Sequence, residues 1–352
     1  MKRVCVVTGS RAEYGLLRWV MQGLKDSTQC SLSIIATGMH LSREFGFTWQ
    51  VIEEDGFDIN WKVDMLISGD TPVAVTKSIG LGMIGFADAY AHLAPDLVVL
   101  LGDRFEILAA ASAAVMAGIP IAHLHGGELT EGANDDAIRH AITKMAHLHF
   151  TAAEPYRMRV IQMGEDPGRV WNVGGFGLDG VKRLVPMERA ALEDQLGMQM
   201  GKANLLVTFH PETASGADPV TQMAELLAAL DETDAQLIFT MPNADAGGAA
   251  LFDMIKSFVA LRSGRACAHV SLGQRGYLSA LTHVDAVVGN SSSGIIEAPA
   301  FGKATVNIGA RQDGRLRAKS ILDCPAERSA IARAIKTALD PSHRAQLSDV
   351  VN

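Results

Sequence analysis

The chain has 352 residues, enough for two domains at roughly 100–200 residues each. Its composition is 48% hydrophobic and 20% charged with 34 glycines, which excludes a disordered, collagen-like or membrane-embedded chain. A net charge of −8 gives nucleic acid or an anionic membrane no general attraction, so any bound anion must meet a local cluster of arginines and amides.

The start, MKRVCVVTGS, is briefly basic but has no apolar stretch of signal-peptide length, and no segment approaches the ~20 apolar residues of a membrane span. A cytoplasmic location is expected. From Val4 onward, apolar β-rich runs alternate with helical spacing. Val4–Val7, Leu32–Ala36, Leu97–Leu101, Ile119–His123 and His149–Thr151 read as strands, and Leu16–Leu24 and Ile107–Ala117 as helices. The polar, glycine-rich stretch Asn172–Gly180 then interrupts the pattern. Alternation resumes with strands at Leu205–Thr208, Leu237–Met241, Ala268–Val270, Ala286–Val288 and Thr305–Ile308, and helices at Val220–Leu230 and Ala249–Leu261. Nearly continuous apolar strands alternating with helices predict parallel sheets covered on both faces. The predicted class is α/β, with two Rossmann-like doubly wound domains facing across a cleft, residues 1–175 and 176–352. Ligands of such sheets bind at the carboxyl ends of the strands.

Four cysteines, Cys5, Cys30, Cys267 and Cys324, are too far apart for a metal-ligand spacing, and Cys5 and Cys267 read as buried core thiols. At the end of the first strand stands Thr8-Gly9-Ser10-Arg11-Ala12-Glu13-Tyr14-Gly15. Gly9 permits a tight turn, the following helix offers amides to an anion, and Arg11 is a phosphate candidate. An ordinary strand–helix turn with a solvated arginine is the competing reading. Leu101-Gly102-Asp103-Arg104-Phe105-Glu106 follows the third strand, with Asp103 either catalytic or the cap of the helix opening at Phe105.

The densest segment runs from His123-Leu124-His125-Gly126-Gly127-Glu128 through Glu131 to Asp135 and Asp136. A metal held by His123, His125 and Glu128 is one reading of it, but no further ligand is in sight, and none is predicted. One of Asp135 and Asp136 is expected to cap the helix Ala137–Met145, leaving the other for acid–base work. In the second half, Thr208-Phe209-His210-Pro211-Glu212-Thr213, Gly289-Asn290-Ser291-Ser292-Ser293-Gly294 and Asn307-Ile308-Gly309-Ala310-Arg311-Gln312-Asp313-Gly314-Arg315 end strands. The serine run before a helix makes an anion cradle, with Glu297 placed to accept two ribose hydroxyls.

Taken in order, TGSRAEYG, GDRFE, HGGE…DDAIRHAITK, TFHPET, GNSSSGIIE and NIGARQDGR resemble the UDP-N-acetylglucosamine 2-epimerase family, in its hydrolysing branch. The resemblance covers Thr8 to about Arg317 and implies a GT-B fold. It implies UDP binding by Arg11, Gly15, Arg104, His210, Asn243, Ser291, Ser292, Ser293, Glu297 and Arg311. Asp103, His125, Glu128, Glu131 and Asp135 become the candidate catalytic set. It further implies anti elimination of UDP to a 2-acetamidoglycal, then syn addition of water, for nonulosonic acid synthesis. UDP-N-acetylglucosamine is the first-choice substrate and a UDP-2,4-diacetamido-2,4,6-trideoxy sugar the second. No cofactor is expected, and a homo-oligomer, dimer or tetramer, is. Relatives often carry glutamate where this chain has His125, so His125, Glu128 or Glu131 takes over that proton transfer, or the substrate differs. A closing C-terminal helix is expected about where the sequence stops at Asn352.

Overall fold

The computed structural model describes residues 1–69, 71–130, 134–212, 217–242 and 248–347. By contact density the chain divides into two units, one of Met1–Glu128 with Asn134–Gly180, the other of Leu129–Ala133 with Val181–Asn352.

The first unit contains strands β1 (Lys2–Thr8), β2 (Cys30–Thr37), β3 (Trp61–Val63), β4 (Leu97–Leu101), β5 (Ile121–Leu124), β6 (Leu148–Thr151) and β7 (Val170–Asn172). Its helices are α1 (Arg11–Asp26), α2 (Trp49–Glu54), α3 (Pro72–Leu93), α4 (Phe105–Met116), α5 (Asp135–Met145) and α6 (Glu154–Gln162), and α7 (Gly177–Lys182) lies at the division. All strands pair in parallel in the order β3-β2-β1-β4-β5-β6-β7. Alternate side chains of β4 show why its sequence is apolar throughout. Val98 and Leu100 pack with Phe86 and Ala110, while Val99 and Leu101 pack with Leu17 and Met21 of α1. Each such fully buried side chain stabilises the fold by about 1.5–3 kcal/mol.

The second unit repeats the plan with β8 (Asn204–Thr208), β9 (Gln236–Thr240), β10 (Ala266–His269), β11 (Ala286–Gly289), β12 (Ala304–Ile308) and β13 (Ile321–Cys324). Its helices are α8 (Arg189–Leu196), α9 (Pro219–Leu230), α10 (Gly248–Ala260), α11 (Gly273–His283), α12 (Ser292–Ile296), α13 (Arg328–Leu339) and α14 (Pro341–Ala345). The order is β10-β9-β8-β11-β12-β13, again parallel. Leu205 and Val207 face α9 and α13, and Leu206 faces α11. Among the described residues no helix is long and apolar enough to cross a membrane.

Both sheets reverse strand order once, between β1 and β4 and between β8 and β11. At such a reversal the two flanking helices leave on opposite faces and a crevice opens at the carboxyl ends. The turns after β1, β4, β8 and β11 carry four of the motifs singled out in the sequence.

Candidate functional site

In the first unit, the turn after β1 differs from expectation. Glu13 Oε2 accepts the Gly9 and Ser10 amides at 2.7 and 3.0 Å, and Ser10 Oγ accepts the Glu13 amide in return. This capping box satisfies the amides that were expected to await an anion. Arg11 remains as the cation of that turn, and Gly15 lies farther along α1. Beneath the turn Glu13 and Glu106 are both buried, with Arg104 Nη2 at 3.1 Å from Glu106 Oε1. Burial, and next the Glu106 charge, push the Glu13 carboxyl up to about 7. Arg104 thus neutralises an internal carboxylate, which competes with its expected role on the nucleotide.

Asp103 does not cap α4. The N-cap position is Arg104, without a side-chain cap bond. Instead Asp103 Oδ2 accepts from Arg139 Nη2. Arg139 Nη1 donates to the Glu128 carbonyl oxygen at 2.9 Å, so one guanidinium gathers the turns after β4 and β5. Arg139 was not singled out in the sequence. It stands in a helix as one more charged residue, and only its burial distinguishes it.

The two histidines at the end of β5, His123 within it and His125 just past it, are held as different tautomers. His123 Nε2 lies 2.8 Å from the Gly102 carbonyl, which only accepts, so Nε2 carries the proton and Nδ1 takes the Thr143 hydroxyl at 3.1 Å. Burial pushes His123 down to about 4, fixing it neutral. His125 Nε2 accepts the Phe176 amide at 3.3 Å, which puts its proton on Nδ1. That nitrogen lies 3.1 Å from Glu128 Oε1, off the hydrogen-bond line, so the contact is electrostatic. His125 has φ 62°, an uncommon conformation for a residue with a side chain, and Gly127 has φ 81°, where a Cβ would lie 2.4 Å from the Tyr156 carbonyl oxygen. Two positive-φ residues turn the chain so that the Glu128 side chain is buried at this end of the sheet.

Neither Asp135 nor Asp136 caps α5, whose N-cap is Asn134. Both lie in its first turn, where their charge favours the helix dipole, and Asp136 stands 3.8 Å from Arg139 and 3.6 Å from His140. Glu131 lies outside the described residues.

In the second unit Asn290 is the organiser. Fully buried, its Oδ1 accepts the His210 amide at 2.7 Å and its Nδ2 donates to the His210 carbonyl at 2.8 Å. Its own carbonyl accepts from Arg311 Nη1 at 3.3 Å and Gln312 Nε2 at 2.8 Å. Gly289 permits this join, since at φ 134° a Cβ would lie 1.9 Å from the Thr208 carbonyl oxygen. Glu212, buried, accepts the Ala310 amide at 2.9 Å and ties the turn after β8 to the one after β12. Asn290, Glu212 and Gln312 stood inside the quoted motifs but were not assigned roles, because their work lies between strands distant in sequence.

The three serines expected to act together do not. Ser291 Oγ caps α12 by accepting the Ser293 amide, and Ser293 Oγ accepts the Tyr277 hydroxyl at 2.7 Å. Among the described residues nothing hydrogen-bonds the Ser292 hydroxyl. With α12 only five residues long, the helix dipole is small. Glu297 caps the end of α12, and its charge adds to burial in raising the Tyr277 hydroxyl above its ordinary value. Asn243 lies outside the described residues. Among the described residues no three His, Cys, Asp or Glu side chains gather as a metal site.

Two parallel sheets whose strand ends carry buried carboxylates and histidines in one unit and an ordered His–Asn–Arg cluster in the other define an α/β fold of the GT-B type. Residues 22–352 match the UDP-N-acetylglucosamine 2-epimerase family, and the chain belongs to it as a hydrolysing UDP-sugar 2-epimerase. It is 42% identical, over 92% of its length and 84% of the relative's, to the GDP/UDP-N,N'-diacetylbacillosamine 2-epimerase (hydrolyzing) of Campylobacter jejuni. It is 39% identical, over 97% and 87%, to the polysialic acid biosynthesis protein P7 of Escherichia coli. The fold matches the UDP-GlcNAc 2-epimerase of Neisseria meningitidis, a crystal structure with UDP-GlcNAc bound, at TM-score 0.80 and 14% identity, covering 99% and 95% of the two chains.

Proposed function

We propose that the chain hydrolyses a UDP-2,4-diacetamido-2,4,6-trideoxy sugar, releasing UDP and the free sugar inverted at C2. The observation that carries the acid–base part is the join of Asp103 and the Glu128 loop through buried Arg139. Two carboxyl side chains sharing one sheet end supply a base for the C2 proton and an acid–base group for water. In the first step the base takes the proton from C2 while the C1–oxygen bond to UDP breaks, leaving a 2-acetamidoglycal. In the second, water adds its oxygen to C1 and a proton returns to C2 on the opposite face. His125, with Nε2 engaged by Phe176, is the group that holds Glu128, and the carboxyls move the protons.

Charge developing on the departing diphosphate calls for fixed donors. Ser292, Arg311 and the His210 turn supply them in the second unit, and Glu297 takes the ribose hydroxyls. Arg11, Gly15, Asp135, Glu131 and Asn243 keep supporting places in this reading, while Arg104, Ser291 and Ser293 serve protein partners instead. The diacetamido sugar is favoured by the Campylobacter relative's name together with the histidine at 125. UDP-N-acetylglucosamine is the second reading, favoured by the family's name.

Incubation of each UDP-sugar in D2O with NMR of the products tests the proposal. Free UDP and a C2-deuterated, 2-epimeric diacetamido sugar are expected. Faster turnover of UDP-N-acetylglucosamine selects the second reading, and return of an intact UDP-sugar epimer refutes hydrolysis.

A further inference from the structure

Arg139 is the largest fully buried side chain among the described residues, with 1% of its surface exposed. Burying a guanidinium is costly unless its donors are met, so such a residue stays where its partners need it. Three of its partners belong to the acid–base site. Nη1 donates to the Glu128 carbonyl, Nη2 to Asp103 Oδ2, and Asp136 Oδ1 stands 3.8 Å away. The same turn is tied to α5 a second time, because Gly102 is held by His123, and His123 by Thr143, one helical turn beyond Arg139.

Among the described residues one oxygen of Asp103, Oδ2, is used. Among the described residues Oδ1 accepts no hydrogen bond, and the side chain is 19% exposed. A carboxylate anchored through one oxygen and open at the other has its direction set without losing its reactive lone pairs.

We propose that Arg139 is a positioning residue, holding Asp103 as an oriented carboxylate at the end of β4 without itself touching substrate. The proposal rests on the reading that Asp103 takes part in the chemistry. The bond to the Glu128 carbonyl fixes the guanidinium, and the guanidinium fixes Asp103. Lysine cannot replace it, since a point charge lacks the planar fork that reaches both partners.

The test compares wild type, Asp103→Asn, Arg139→Lys and the double variant Asp103→Asn/Arg139→Gln, measuring kcat, UDP affinity and thermal unfolding. Asp103→Asn is expected to lower kcat by about 100-fold or more, and Arg139→Lys by about 10-fold or more, with UDP Kd within about threefold of wild type in each. The double variant removes both charges together and leaves no lone buried ion. It is expected to turn over within about threefold of Asp103→Asn, because a residue acting through another adds nothing once that other is gone. Wild-type kcat in Arg139→Lys overturns the proposal, and so does a double variant about tenfold slower than Asp103→Asn. A double variant that fails to fold where Asp103→Asn folds also overturns it, by giving Arg139 a structural role apart from Asp103. If Arg139→Lys does not fold, the double variant against Asp103→Asn decides alone. Wild-type turnover in Asp103→Asn is a different failure, of the site reading itself.

Discussion

Truncation of Asn290 to alanine tests whether the second unit's site is built around one side chain. The carboxamide meets both backbone groups of His210, at 2.7 and 2.8 Å, in a place with no solvent exposure. Alanine leaves a buried N–H and a buried carbonyl unmet, at about 1–3 kcal/mol each, or about 2–6 kcal/mol together. For a domain of about 150–250 residues each kcal/mol lowers Tm by roughly 2–4 °C, so a fall of about 5–20 °C is expected. UDP affinity falls as well, because Arg311 and Gln312 both lean on the Asn290 carbonyl. Asn290→Asp keeps the acceptor but sets an oxygen against the His210 carbonyl, so it too is destabilised. Scanning calorimetry and UDP titration read the two effects. A Tm within about 2 °C of wild type and an unchanged UDP Kd in Asn290→Ala would show that the clasp organises nothing.

Ser292→Ala and Arg311→Ala are each expected to weaken UDP binding by about 5–50-fold with the fold kept, since each removes hydrogen bonds to charged oxygens. Equal UDP titrations in both variants and wild type contradict the assignment. At His125, asparagine places an N–H near the position of Nδ1, whereas glutamine reaches the position of Nε2. His125→Asn is therefore expected to keep more kcat than His125→Gln and to leave the shape of the kcat–pH profile intact. Loss of one limb of that profile in both, with a fall of about 100-fold or more, would make the imidazole the acid–base group after all. Glu13 predicts a pH effect on stability. Its carboxyl is raised from 4.5 to about 7, so between these values the folded state binds more protons than the unfolded. The stability it contributes is present below about pH 4.5 and lost as pH rises through about 7. Glu13→Gln is expected to flatten the fall in Tm between about pH 5 and 8, and an unaltered slope rejects the buried-proton account.

Much of the fold was legible because its central strands are apolar on both faces. Leu97–Leu101 and Leu205–Thr208 came out of the sequence nearly as they stand. The edge strands Trp61–Val63, Val170–Asn172 and Ile321–Cys324 were missed, being three or four residues long and half covered. Strand β10 begins two residues before the expected Ala268, since Ala266 and Cys267 pair with β9 although a charged loop precedes them. Burial of Cys5 came out as expected, whereas Cys267 is only partly covered. Motifs at strand ends were visible as words, but the division of labour within them was not. Ser291 and Ser293 are spent on capping and on Tyr277, and the amides of Gly9 and Ser10 on Glu13. Such losses depend on partners that spacing along a chain does not reveal. Asp135 and Asp136 failed as caps for a local reason, because α5 begins two residues earlier than its apolar pattern suggests.

The two sheets share one strand plan, yet each draws its strands from one continuous stretch of chain. During synthesis every strand of the first sheet is made before any strand of the second, so the first has the earlier chance to close its ladder without rivals. Mispairing between lookalike sheets is thereby avoided by timing rather than by chemistry. Refolding from denaturant, where the strands of both sheets are released at once, removes that protection and is expected to be slower and more prone to aggregation than folding during translation.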